Sequence, residues 1–145
     1  MKTSKLRTIF KIIRVILHRV TKGTWYLPAV SEITAEDLLD RVNSSTPPIL
    51  IDLRSAEEFN GWYGHIPDAR WIPMLELGSN LEDLQSFKER EIVTICPGGG
   101  MSLAGAEILA EAGFRDVKSL RGGLDLWYKK GYPTTRSSDK EGLSP

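Results

Sequence analysis

The stretch Ile92-Val93-Thr94-Ile95-Cys96-Pro97-Gly98-Gly99-Gly100-Met101-Ser102-Leu103-Ala104-Gly105-Ala106 decides the reading of the chain. It reads as a buried strand, a cysteine, a glycine-rich turn and the start of a helix. Three consecutive glycines are costly in conformational entropy, and a plain connector could use other residues. Glycines let the backbone curl so that successive N–H groups point inward, forming a nest for an anion. A helix beginning near Ser102 adds its positive end to the same spot. A thiolate or persulfide on Cys96 would be stabilised there. Cys96 is therefore the candidate nucleophile, and Gly98, Gly99, Gly100, Met101 and Ser102 are the candidate residues around its sulfur. The alternative is an inert thiol buried at the end of a core strand.

Other short apolar runs follow the same logic. Ile49-Leu50-Ile51 ends in Asp52, Val117 to Leu120 leads into Arg121-Gly122-Gly123, and Val30 to Ile33 alternates as a short strand. A helix capped by Thr34 is predicted to run to about Asn43, and helical patterns cover residues 81–90, 102–112 and 123–130. Strands alternating with helices predict an α/β domain, a mostly parallel sheet flanked by helices. Reactive groups in such sheets sit at the carboxyl ends of strands, where Asp52, Cys96 and Arg121 fall. The expected organisation is a basic amphipathic helix over 1–22, a linker over 23–29, one domain over 30–133 and a flexible polar tail over 134–145.

The formal net charge is zero, but it is unevenly spread. Residues 1–22 hold seven basic residues and no acid, which leaves twelve basic against nineteen acidic residues in the rest. An acidic body argues against nucleic-acid binding. In the first segment Leu6, Ile9, Phe10, Ile13, Ile16, Leu17 and Val20 form one apolar helical face. Charges interrupt it too often for a membrane span or a secretory signal. It is expected to dock on an anionic membrane surface or on a partner protein, or to act as an organelle transit peptide; otherwise it packs on the domain itself. The default location is cytoplasmic, peripheral at the membrane, with organelle targeting left open. A single cysteine excludes an intrachain disulfide, and two histidines far from it make a poor metal site.

Several ordered motifs resemble the rhodanese family. They are Asp52-Leu53-Arg54 with Glu57-Glu58-Phe59, then Gly64-His65-Ile66-Pro67-Asp68-Ala69 with Ile72-Pro73, then Cys96 and five residues before Ser102. Ser119-Leu120-Arg121-Gly122-Gly123, Trp127 and Gly131-Tyr132-Pro133 close the set. The resemblance runs from about Val30 to Pro133. It implies a rhodanese-like fold and sulfur transfer through a Cys96 persulfide, from thiosulfate or a persulfide to a thiol acceptor, with no metal or organic cofactor. The sulfur partners are small molecules or proteins.

Two departures matter. The family often carries Arg or Lys where Met101 stands, and Pro97 removes one N–H from the loop. Both favour a persulfide donor over thiosulfate, with Arg121 the candidate to supply the missing charge. Asp52, Arg54 and His65 are expected to support the site structurally, and Trp62, Trp71 and Trp127 to line the core or a pocket. A related phosphatase would need an arginine six residues after Cys96, where Ser102 stands. The remaining alternatives are a non-catalytic binding module and a membrane-docked sulfur carrier.

Overall fold

Within each apolar run, alternate side chains face opposite sides of a strand, so the runs near Leu50 and Val93 can feed two cores at once. The computed structural model describes residues 6–7, 9–10, 13–14 and 30–137. In chain order it contains β1 (Ser31–Ile33), α1 (Ala35–Val42), β2 (Ile49–Asp52), α2 (Ala56–Phe59), β3 (Arg70–Trp71), 3-10 turns at Met74–Asn80 and Gln85–Phe87, β4 (Glu91–Ile95), α3 (Gly100–Glu111), β5 (Asp116–Leu120) and α4 (Gly123–Lys129). The five strands are all parallel in the order β1-β5-β4-β2-β3. The middle strand is thus β4, flanked by β5 and β2, and Cys96 follows directly on β4.

Ile51, Ile92 and Val117 turn to the face covered by α3 and the 3-10 turns. Leu50, Val93, Ile95 and Leu120 turn to the face holding Leu38 of α1 and Leu124 and Trp127 of α4. Burial of these side chains on both faces supplies the main driving force, roughly 1.5–3 kcal/mol for each large one.

The carboxyl end of β2 is fixed by an ion pair. Arg54 and Asp52 are 3% and 0% exposed. The Arg54 guanidinium donates to both Asp52 carboxylate oxygens at 2.8–3.1 Å, and also to the carbonyls of Gly64 (2.8 Å) and Glu58 (3.2 Å). His65 packs in the same region. Its Nδ1 lies 2.9 Å from the Phe59 carbonyl and its ring stacks on Phe59 at 3.7 Å. At the opposite end of the sheet, burial raises the pKa of Glu91, but hydrogen bonds from Lys118 and Arg41 outweigh it and leave the carboxyl below its ordinary value.

Three expectations need correction. Residues 81–90 do not form an α-helix; Leu81, Leu84 and Phe87 recur at three-residue spacing, which suits 3-10 turns. Phe87 accordingly bonds the Leu84 carbonyl and Lys88 that of Gln85. The chain after Pro133 is docked as far as residue 137: His65 and Thr135 exchange two backbone hydrogen bonds of 2.9 and 2.8 Å. Trp71 is 43% exposed and outside the core, while Trp127 joins the core and Trp62, though 74% exposed, lines a surface cleft. Leu6, Arg7, Ile9, Phe10, Ile13 and Arg14 are helical, as expected, with Leu6, Phe10 and Ile13 exposed. The rest of the segment 1–22, the linker 23–29 and residues 138–145 lie outside the described residues.

Arg54→Ala strands a buried carboxylate and releases two carbonyls. It should lower the unfolding free energy in urea by about 3–5 kcal/mol, with the double change Asp52→Ala/Arg54→Ala less harmful than the sum of the singles.

Candidate active site

Every hydrogen bond of the turn after β4 serves to hold one conformation. Cys96 follows β4 directly and is 1% exposed. Gly99 has φ +94°, a left-handed conformation that glycine adopts without strain. This turn swings its N–H back to donate to Cys96 Sγ at 3.0 Å. A Cβ on Gly99 would also lie 2.9 Å from the Gly122 nitrogen. The next residue, Gly100, begins the twelve-residue α3. The sulfur therefore sits at the amino end of a helix, where partial positive charge favours an anion.

The carbonyls of the turn are drawn the other way. Leu124 and Asp125, at the start of α4, donate their N–H groups to the carbonyls of Cys96 (2.9 Å) and Pro97 (3.0 Å). Such close approach requires Gly123, whose φ is +61° and whose Cβ would fall 2.3 Å from both carbonyl oxygens. Negative ends are thus pinned outward onto α4 and an N–H is left facing the sulfur.

Of the residues singled out in the sequence, the structure brings Cys96, Gly99 and Ser102 into direct contact. The Cys96 thiol donates to Ser102 Oγ at 3.3 Å, and Ser102 is fully buried. Gly98, Gly100 and Met101 form the exposed outer side of the turn. Arg121 is not gathered in: its guanidinium pairs with Glu32 at 3.1 Å on the surface, with its side chain 62% exposed. Asp52 and Arg54 are spent on one another behind a shallow cleft that adjoins Pro97. The visible walls of that cleft are Glu57, Glu58, Trp62, Tyr63 and Asp125. Tyr63 stacks on Tyr128 at 4.3 Å, and the Arg136 guanidinium lies over Trp62 at 4.8 Å.

Two participants escaped the sequence reading. Ser119 Oγ lies 2.8 Å from Ser102 Oγ, and Thr94 Oγ1 donates to the Ser102 carbonyl at 2.7 Å. Each looked like an ordinary polar position in a short strand. The signal was their place on the α3 side of β4 and β5, in step with the apolar Ile92 and Val117.

Residues 34–130 match the rhodanese-like domain family model. A sulfurtransferase of Allochromatium vinosum is 32% identical over 104 residues, covering 72% of this chain and 94% of that protein. A chloroplastic thiosulfate sulfurtransferase of Arabidopsis thaliana is 33% identical over 94 residues, covering 58% of this chain and 77% of that one. The crystal structure of a rhodanese-like domain protein from Staphylococcus aureus superposes with a TM-score of 0.59 at 29% identity, covering 72% of this chain and 98% of that one.

Gly123→Ala should drive a methyl group into the Cys96 and Pro97 carbonyls and force the turn open. The expected result is a melting temperature lower by several degrees, equivalent to about 1–3 kcal/mol, together with altered reactivity of Cys96 toward iodoacetamide.

Proposed function

The chain belongs to the rhodanese-like domain family, a family of sulfurtransferases, and on that premise we propose that Cys96 carries sulfane sulfur as a persulfide taken from a persulfide donor and passed to a thiol. The observation that carries this reading is the Gly99 N–H aimed at Cys96 Sγ from 3.0 Å at the start of α3. In the first half-reaction the Cys96 thiolate attacks the outer sulfur of a donor R–S–S⁻. A new S–S bond forms on Cys96, the donor's S–S bond breaks, and R–S⁻ leaves. In the second, an acceptor thiolate attacks the outer sulfur and the Cys96 thiolate is regenerated. The two steps are ping-pong covalent catalysis.

The donor preference follows from charge at the cleft. Met101 offers no cation and Arg121 is paired with Glu32; Glu57, Glu58 and Asp125 line the cleft beside Pro97, where the Arg54 cation is already paired with Asp52. Thiosulfate carries two negative charges and would be repelled; a low-molecular-weight or protein-bound persulfide with less net charge would not. The exposed rings of Trp62 and Tyr63 offer an apolar contact to a protein donor or acceptor.

Intact-mass measurement tests the reading. Incubation with cysteine persulfide should add one sulfur atom to the wild-type chain and none to Cys96→Ser, while thiosulfate loads it more slowly. Met101→Arg should speed loading from thiosulfate by roughly tenfold, since a charge-assisted hydrogen bond is worth about 1.5–3 kcal/mol. No sulfur gained from either donor would leave a binding module as the better account.

The segment 1–22 extends the proposal to location. Its exposed Leu6, Phe10 and Ile13, beside exposed Arg7 and Arg14, suit an anionic lipid surface on the cytoplasmic side. The full chain should sediment with vesicles rich in phosphatidylserine and not with pure phosphatidylcholine, and Phe10→Glu/Ile13→Glu should abolish the difference.

A further inference from the structure

Three buried hydroxyl groups lie beneath Cys96. Parallel pairing sets Thr94 of β4 opposite Ser119 of β5, and both are fully buried under the first turn of α3. Ser102 enters from that turn, also fully buried. A hydroxyl in such a place costs free energy unless it is hydrogen-bonded. Thr94 has a structural use, since its hydroxyl donates to the Ser102 carbonyl and anchors the helix start. Among the described residues Ser119 shows no such backbone bond. Its hydroxyl meets that of Ser102 at 2.8 Å, and Ser102 in turn meets Cys96 Sγ at 3.3 Å.

Counting hydrogens shows what the pair can do. Ser102 has one hydroxyl hydrogen and two lone pairs. With Cys96 as a thiol, the S–H donates to Ser102 Oγ, and the Ser102 hydrogen goes to the Gly99 carbonyl at 3.1 Å. Once the thiol proton has passed to water, the sulfur is an anion that can only accept. Gly99 N–H already donates to it. Ser102 supplies a second donor only by turning its hydrogen from the Gly99 carbonyl to Sγ. Either hydroxyl can be the donor across the 2.8 Å contact between Ser102 and Ser119; with Ser119 donating, Ser102 does not spend its hydrogen on Ser119 and can turn it to Sγ. In this dry setting the chain of bonds is mutually strengthening.

We infer that Ser119 is a positioning residue for the sulfur chemistry: through its hydroxyl it holds Ser102 as a hydrogen-bond donor to the Cys96 thiolate. The role rests on Cys96 being the working nucleophile, as proposed above. Neutral groups do this work. The charged groups on the surrounding elements are engaged or peripheral: Asp52 with Arg54 after β2, Arg121 with Glu32, Lys118 of β5 with Glu91 and Asp116, and Glu57, Glu58 and Asp125 at the cleft. Glu107, further along α3, is buried and lies beyond the first turn.

The test is the pH profile of Cys96 alkylation by iodoacetamide in the full chain, which reads the thiolate without any sulfur donor. At pH 7, Ser102→Ala should react about tenfold more slowly than wild type, as expected for loss of a hydrogen bond to a charged group, and Ser119→Ala about threefold more slowly. Both profiles should move to higher pH, and Ser119→Thr, which keeps the hydroxyl, should return toward wild type. Melting temperatures measured alongside confirm that each variant is folded over the pH range used. A folded Ser119→Ala with the wild-type profile overturns the inference, as does a Ser102→Ala profile that does not move. Failure of persulfide loading with the alkylation shifts intact would instead count against the sulfur-transfer reading alone.

Discussion

The site depends on a division of backbone groups at one turn. The carbonyls of Cys96 and Pro97 are bound by the first free N–H groups of α4, and the N–H of Gly99 is turned toward the sulfur. Each half needs the other. If the carbonyls were free to rotate inward, their negative ends would oppose a thiolate in the same space that the amide now favours. Gly99 and Gly123 make the interlock possible, because a Cβ at either would collide with the opposing backbone. The Gly-Gly pair after β5 is therefore part of the cysteine site, although it lies more than twenty residues away in sequence.

The sheet explains why these two segments meet. Adjacent parallel strands β4 and β5 end level with each other, so the turns that follow them lie side by side. Each turn then starts a helix on an opposite face: α3 over the core around Ile51 and Ile108, α4 over the core around Val93 and Trp127. The Asp52–Arg54 pair performs a related task next door. It fixes the strand end that borders the cleft and ties it to the carbonyls of Glu58 and Gly64. Buried ion pairs seldom add much net stability, so its use here is to hold the cleft wall in one place.

Much of this was legible in the sequence, and the reasons differ by residue. Strands at Ile49–Asp52 and Glu91–Ile95 announced themselves because both faces of a central parallel strand are buried, which leaves an uninterrupted apolar run. The glycines around Cys96 were legible because their conformational cost demands a use. The edge strand Arg70–Trp71 was not, since two exposed residues carry no periodicity. The single turn Ala56–Phe59 was missed although its capping box, Ser55 with Glu58, stood in the sequence. Arg121 suggested a substrate-facing cation, but strand register sends it toward Glu32 on β1. Alternation with Val117 gave the face of Ser119, but only the strand register sets it opposite Thr94 and beneath Ser102.

Burial of Cys96 was the property expected of an inert thiol, and the sulfur is buried. The proposed role of the sulfur as a working nucleophile rests on the company it keeps. A structural cysteine needs only apolar neighbours of the right volume. Here the contacts include an amide hydrogen and a hydroxyl that is itself backed by a second hydroxyl. Buried polar groups cost free energy unless they are hydrogen-bonded, and each of these has a partner. The same groups can serve the sulfur as an anion, because the Gly99 amide and the Ser102 hydroxyl can both donate to it. Burial then works in its favour: the same low dielectric that penalises an unpaired charge strengthens each hydrogen bond to a paired one.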